Sequence, residues 1–388
     1  MKELGLTAYR FSISWSRVLP EGEGRVNQRG LDFYRALVDA LREAGIRPFV
    51  TLFHWDLPAT LDDQGGWLNP DIAGWFAEYA SAVCRALGDR VDLWATLNEP
   101  WVVADGGYLH GVLAPGHASP WEAPRASHNL LRAHATAVRA LRAEGRGEIG
   151  LVVNLEPKYA ASDRDEDRAT AVRADVYFNR QYLDPVLLGR YPEELRTIWG
   201  EVWPDPPARD LDAIREPIDF VGVNYYTRGV VRFDAAALPV HEGRVRQRHR
   251  TETETGWEVY PQGLEEVLGW VRAHYGERTL YVTENGAAFY DPPAAPGPVV
   301  EDPLRVAYLR DHLRAVASAR ANGVDVRGYF VWSLLDNFEW NHGFRRRFGI
   351  VHVDYATQAR TPKRSALAYA EIIRTRGDCL PGAAAKES

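Results

Sequence analysis

The sequence has few of the features that mark several protein classes. It contains two cysteines and one methionine in 388 residues. Two cysteines cannot build a disulfide framework or a multi-cysteine metal site, so the fold must depend on packing. No apolar run approaches the ~18 residues of a membrane-spanning helix, and the first residues show no apolar signal core. The sequence therefore predicts a cytoplasmic protein that enters no membrane.

Excess positive charge is also lacking. The formal net charge is −7, which opposes binding to nucleic acid and to anionic lipid surfaces. We therefore expect neither as a partner. With 46% hydrophobic, 26% charged and 11% aromatic residues, the composition excludes a disordered or fibrous chain and supplies a large core. The sequence does not decide whether the protein is a monomer or a homo-oligomer.

Short apolar runs alternate with longer amphipathic stretches along the chain. Runs that read as buried strands cover residues 8–14, 47–53, 92–97, 149–154, 218–223, 279–283 and 327–332. Helical patterns cover residues 29–44, 71–87, 124–143, 166–188, 261–275, 302–322 and 362–376. Strands that are apolar throughout, rather than at every second position, indicate a parallel sheet covered by helices.

The absence of two further features favours a barrel over a doubly wound sheet. No Gly-x-Gly-x-x-Gly motif follows the first strand, and no linker divides the chain. We predict an α/β fold of the (β/α)₈ TIM-barrel type, with one catalytic domain over residues 1–377 and a polar tail over 378–388. Only seven strands are counted where such a barrel has about eight, and residues 1–4 resemble the last turn of a helix. The first strand and most of the first helix are therefore expected to be missing.

Two carboxylates stand at the ends of strand runs. Glu99 follows one run and Glu284 follows another, and catalytic groups of parallel barrels lie at these ends. Each glutamate alone could be a salt-bridged strand cap. Two of them, amid 13 tryptophans that can stack on sugar rings, favour the paired-carboxylate chemistry of glycoside hydrolysis.

Several motifs resemble those of glycoside hydrolase family 1, the β-glucosidase family, in the same order and over nearly the whole chain. They are Tyr9-Arg10-Phe11-Ser12-Ile13-Ser14-Trp15, Phe53-His54-Trp55-Asp56-Leu57-Pro58, Thr96-Leu97-Asn98-Glu99-Pro100, Asn224-Tyr225-Tyr226, Val282-Thr283-Glu284-Asn285-Gly286 and Trp332-Ser333-Leu334-Leu335-Asp336-Asn337-Phe338-Glu339-Trp340. The resemblance implies a retaining β-glycosidase that removes terminal, non-reducing β-D-glycosyl residues from small glycosides.

The resemblance also implies catalytic roles. Glu284 would be the nucleophile, with its charged form stabilised by Arg10 and by a hydrogen bond from Tyr226. Glu99 would be the general acid and then the base, kept protonated by burial and by nearby negative charge until Glu284 is glycosylated. A retaining mechanism predicts that the two carboxyl groups lie about 5 Å apart.

Further residues are implied to bind the substrate, with Asn98 at the sugar 2-hydroxyl and Trp332 as a stacking floor. The expected set is His54, Trp55, Asn98, Asn224, Trp257, Trp332, Glu339, Trp340 and Phe348. The negative charge of Glu339 disfavours a phosphorylated sugar. No cofactor and no metal are expected, because His54 and Asp56 lack a third converging ligand.

One departure from the family concerns the segment before Met1, where family members carry a first strand with a sugar-binding Gln. Its absence predicts an N-terminally shortened chain with weak activity or low stability, since a barrel without one strand exposes two edges. An inactive or weakly active sugar-binding barrel is the alternative function, and a fragment that recruits another chain is a third. Preference for glucosides, galactosides or fucosides stays open.

Overall fold

The computed structural model describes residues 1–145, 147–293, 295 and 297–380. They divide into two compact units. We call residues 8–222 with 231–243 the N-terminal unit, and residues 1–7 and 223–230 with the described residues from 244 onward the C-terminal unit. The predicted tail over 378–388 lies mostly outside the described residues. The single domain over residues 1–377 stays a prediction.

Parallel strands form the centre of the N-terminal unit. In hydrogen-bonding order they are Ala8–Ser12, Arg47–Phe53, Leu93–Asn98, Glu148–Asn154 and the first residues of Phe220–Asn224. Every residue of Leu93–Asn98 is buried, as expected for a strand with packed side chains on both faces. Short strands at Lys158–Ala160, Gly229–Phe233 and Glu242–Arg244 were not predicted.

Helices separate the strands of the N-terminal unit. The α-helices are Trp15–Val18, Gln28–Glu43, Ala59–Asp62, Ile72–Leu87, Pro100–Ala104, Ala123–Glu144, Asp165–Asp175, Gln181–Leu188, Glu194–Trp199 and Ala208–Ile214. π-Helical turns span Asp105–Leu109 and Val176–Arg180, and 3₁₀ turns span Gly66–Leu68 and Gly200–Val202. The helix predicted over 166–188 is thus interrupted by the π-helical turn Val176–Arg180, and its last part, Gln181–Leu188, contains Pro185.

The C-terminal unit repeats the same alternation. Its main strands are the last residues of Phe220–Asn224, then Thr279–Asn285 and Val326–Val331, with a hairpin formed by Val351–Val353 and Arg360–Pro362. Its α-helices are Gln262–Tyr275, Pro303–Ala321 and Arg364–Arg374, and its 3₁₀ turns are Lys2–Leu4 and Trp340–His342. Gly323, which follows the end of helix Pro303–Ala321, has φ 88°, a left-handed conformation that glycine adopts without steric cost.

All seven predicted strands are present within the described residues, each within about two residues of its predicted bounds. The ends of these strands carry the residues singled out from the sequence, since Asn98 closes one strand and Glu284 lies one residue before the end of another. In the part of the chain that is described, no helix combines the length and the apolar character needed to cross a membrane.

Candidate active site

A hydrogen-bonded cluster at the strand ends of the N-terminal unit joins four of the predicted site residues. Nη2 of Arg10 donates to Oδ1 of Asn98 over 2.5 Å, and Nε of Arg10 donates to Oγ1 of Thr51 over 3.1 Å. Nδ2 of Asn98 lies 3.1 Å from Nε2 of His54, and Nε1 of Trp55 donates to the Asn98 carbonyl over 3.0 Å. Asn98 is therefore fixed in one orientation, since both ends of its amide are bonded.

The buried imidazole of His54 is held neutral by its surroundings. Burial, and then the positive charge of Arg10, lower the pKa of His54 to about 3, because both disfavour a charged ring. A neutral imidazole has one donor and one acceptor nitrogen, and Nε2 is here the acceptor for the Nδ2 amide of Asn98.

Glu99 follows directly on the strand that carries Asn98. Its side chain is buried, with 5% of the residue exposed. Its φ of 48° is left-handed, a region that residues with a side chain rarely adopt and that recurs at functional sites. The Glu99 N–H donates to the carbonyl of Val152 over 2.9 Å, and Pro100 begins the next helix. The chain therefore turns sharply at the carboxylate.

Glu284 has a defined hydrogen-bond donor in the C-terminal unit. The Tyr226 hydroxyl donates to Oε2 of Glu284 over 2.6 Å, a distance typical of a bond from a neutral hydroxyl to a carboxylate. The Tyr226 ring lies 5.0 Å from Trp257 and 6.4 Å from Phe348, and those two rings are 6.1 Å apart. Three predicted site residues thus form an aromatic wall beside the carboxylate.

Glu339 lies in the segment after strand Val326–Val331, and the charge of Glu284 affects its pKa. Burial, and then the negative charge of Glu284, raise the pKa of Glu339 to about 7, although a hydrogen bond with Trp332 acts in the opposite direction. Trp340 follows with φ 44°. A group with this pKa can be neutral or charged near neutral pH and can therefore donate to or accept from a sugar hydroxyl.

Asn224, predicted to bind substrate, is fully buried and accepts a 2.6 Å hydrogen bond from Oγ1 of Thr283 through its Oδ1. The structure thus gives it a role within the sheet, and its contact with substrate stays a prediction.

Three supporting residues were missed by the sequence reasoning. Asn285 is fully buried, and its amide contacts the Tyr225 carbonyl and the hydroxyls of Tyr308 and Tyr329. A Cβ on Gly286 would lie 1.7 Å from the Trp332 carbonyl oxygen, so only glycine fits there. Thr51 supports Arg10, as described above. The sequence signal for Asn285 and Gly286 was their place in the Val282–Gly286 motif. For Thr51 it was a polar residue in an apolar strand, which is too common to identify a role.

Metal ligands do not converge in the described part of the chain, where no three His, Cys, Asp or Glu side chains form a group that could hold an ion.

Similarity to known proteins extends over almost the whole chain. The sequence model of glycosyl hydrolase family 1 matches residues 1–378. β-Glucosidase A of Thermotoga maritima is 48% identical over 380 residues, which are 97% of this chain and 84% of that protein. Thermostable β-glucosidase B of Thermobispora bispora is 47% identical over 97% of this chain and 78% of its own length.

Solved structures of related proteins also match this chain over almost its whole length. A family 1 β-glucosidase from Thermotoga maritima has a TM-score of 0.93 at 47% identity, covering 96% of this chain and 83% of that one. The β-glucosidase from Thermotoga maritima in complex with deoxynojirimycin also has a TM-score of 0.93, covering 97% of this chain and 85% of that one. These similarities confirm the predicted (β/α) barrel fold class.

Proposed function

The chain belongs to glycosyl hydrolase family 1, and from that premise we propose how its side chains hydrolyse a β-glycoside. The protein is an O-glycosyl hydrolase, a retaining enzyme of the β-glucosidase type. A relative of known structure binds deoxynojirimycin, a sugar mimic, and the substrates of this chain are small β-glycosides.

Glu284 is the nucleophile in this proposal. The observation that carries the assignment is the 2.6 Å hydrogen bond from the Tyr226 hydroxyl to its Oε2. This bond restricts the rotation of the carboxylate, and positioning of this kind lowers the barrier of the reaction. As a carboxylate oxygen of Glu284 bonds to the anomeric carbon, the bond from that carbon to the leaving oxygen breaks.

Glu99 is the acid and then the base. It gives its proton to the leaving oxygen as Glu284 attacks. In the second step it takes a proton from water, whose oxygen bonds to the anomeric carbon while the ester to Glu284 breaks. The stereochemistry at the anomeric carbon is retained, which requires the two carboxyl groups to lie about 5 Å apart. The left-handed backbone at Glu99 supports a specialised role, since strain of this kind is kept where function needs it.

The hydroxyls of the non-reducing sugar bind to the polar side chains of the site. Asn98, oriented by Arg10 and His54, donates to the 2-hydroxyl, a contact that strengthens in the transition state. His54 and Glu339 bind further hydroxyls. The aromatic and remaining contacts are Trp55, Asn224, Trp257, Trp332, Trp340 and Phe348.

The partners follow from the same chemistry. We expect no cofactor and no metal, because two carboxylates supply the proton transfer and the nucleophile. The net charge of −7 disfavours nucleic acid and anionic membranes as partners. A cytoplasmic location is part of the proposal.

Turnover of aryl β-glucosides tests the function. We expect hydrolysis of the glucoside by the wild-type chain and a loss of at least about 1,000-fold in Glu284→Ala, because the covalent step is removed. Aryl β-galactosides and β-fucosides measured alongside define the sugar preference. Binding of deoxynojirimycin without turnover of any of the three substrates would instead identify a sugar-binding barrel.

A further inference from the structure

Six charged side chains form a buried cluster in the C-terminal unit. They are Asp291, Asp302, Arg305, Asp336, Arg347 and Lys363, and at most 13% of any of these side chains is exposed. Three are acidic and three are basic, so the cluster is balanced in charge. Buried ions are costly unless each has partners, and every member here is bonded to at least one other.

One end of the cluster holds the loop that follows Glu284. Nε of Arg305 donates to the Ala287 carbonyl over 3.2 Å, and Nη2 of Arg305 lies 3.5 Å from the Phe289 carbonyl. The guanidinium also bonds both oxygens of Asp291, over 3.3 and 3.0 Å. The backbone just beyond the nucleophile is thereby bound to Arg305.

The other end holds the segment that carries Trp332, Glu339 and Trp340. Oδ1 of Asp336 accepts hydrogen bonds from Nζ of Lys363 over 2.8 Å and from the Gly349 N–H over 3.0 Å. Oδ2 of Asp336 accepts one from Nη1 of Arg347 over 2.7 Å. Asp336 is thus fixed from several sides, and Glu339 is only three residues further along the chain.

Lys363 joins the two ends. Its ammonium donates to Oδ2 of Asp291 over 2.7 Å and to Oδ1 of Asp336 over 2.8 Å, and the residue is fully buried. Without that charge the two carboxylates would face each other, and like charges repel strongly in a buried site.

We propose that Lys363 is a positioning residue for glycoside hydrolysis, which fixes the sugar-binding segment Trp332–Trp340 relative to the loop after Glu284. The inference rests on the proposed roles of Glu284 and Glu339. The loop after Glu284 and the segment Trp332–Trp340 are in close contact, because even one Cβ on Gly286 would overlap the Trp332 carbonyl. A shift of about 1 Å at a positioned group can lower the rate about 100-fold, so the ion link acts on substrate binding and not on stability alone.

The test compares Lys363→Met with a matched buried lysine. Lys158 has 1% of its side chain exposed and pairs with Glu156 over 2.6 Å, so Lys158→Met removes a similar ion pair in the N-terminal unit. We expect both variants to lower Tm. Only Lys363→Met should raise KM for an aryl β-glucoside and the inhibition constant of deoxynojirimycin, each by about 10-fold.

A second variant separates position from stability. Lys363→Met combined with Asp291→Asn restores the charge balance of the cluster, and we expect Tm to recover towards wild type while KM stays raised. An unchanged KM in Lys363→Met, or a KM that recovers together with Tm in the double variant, would overturn the inference. Glu339→Gln is measured in parallel. If it leaves KM unchanged, the site assignment itself is wrong and the inference falls with it.

Discussion

The Tyr226 hydroxyl donates a 2.6 Å hydrogen bond to Oε2 of Glu284, and this bond restricts the rotation of the carboxylate that we propose as the nucleophile. Tyr226→Phe keeps the ring beside Trp257 and Phe348 and removes only the donor. Because hydrogen bonds to charged groups contribute about 1.5–3 kcal/mol, we expect kcat to fall by about 10- to 100-fold with little change in Tm. Steady-state kinetics on an aryl β-glucoside measure it, and a kcat equal to wild type would contradict the role.

Asn98 is hydrogen-bonded to Arg10 and to His54, and we propose that its amide donates to the sugar 2-hydroxyl. Asn98→Ala should lower kcat/KM for an aryl β-glucoside by about 100-fold, since the contact strengthens in the transition state. It should lower kcat/KM for the matching 2-deoxy-β-glucoside much less, because that substrate lacks the partner of Asn98. Equal losses on the two substrates would show that Asn98 does not bind the 2-hydroxyl.

The raised pKa of Glu339 makes stability depend on pH. The folded-state pKa, about 7, lies above the ordinary value of 4.5, so the folded protein binds this proton more tightly than the unfolded chain. The partly buried, ionised carboxylate of Glu339 therefore destabilises the folded state. This loss of stability is absent below about pH 4.5, increases as pH rises from there and is complete above about pH 7. Glu339→Gln should therefore gain Tm relative to wild type as pH rises from 5 to 8.

Melting curves at several pH values measure that difference. Glu371→Gln, a change on an exposed helix face, is the control. A Tm difference between wild type and Glu339→Gln that does not change with pH would count against the raised pKa.

Three buried histidines make the free energy of unfolding fall as pH falls, which is opposite to the effect of Glu339. Burial is the first cause that lowers the pKa values of His54, His134 and His312 to about 3. Their ordinary value is 6.5, so the unfolded chain takes up these protons first, and stability is lost as pH falls from about 6.5 towards 3. Each contributes on the order of 1 kcal/mol per pH unit. Urea unfolding at pH 7, 6 and 5 should show a falling free energy of unfolding, and a value that rises on acidification would contradict this.

Much of the fold was predictable because strands with two packed faces are apolar throughout. The strand predicted over 47–53 is observed as Arg47–Phe53. Short strands such as Lys158–Ala160 escaped prediction because three residues show no periodicity. The sequence also placed Glu99 and Glu284 at strand ends, and the structure confirms those positions.

The ion cluster could not be predicted. Lys363 and its partner Asp291 are 72 residues apart in the chain. Asp291 lies outside every predicted strand and helix, and Lys363 lies at the start of the helix predicted over 362–376. Their burial depends on how helices and loops pack, which local pattern does not encode. The same holds for Tyr226, whose partner Glu284 is 58 residues away.

Trapping the covalent intermediate tests the central assignment most directly. An aryl 2-deoxy-2-fluoro-β-glucoside with a good leaving group should glycosylate the enzyme and hydrolyse slowly afterwards, because the fluorine disfavours the positively charged transition state of both steps. Peptide mass spectrometry of the trapped protein should find the sugar on Glu284, and no label in Glu284→Ala. A label on another carboxylate, or turnover with inversion and no label, would contradict the proposed mechanism.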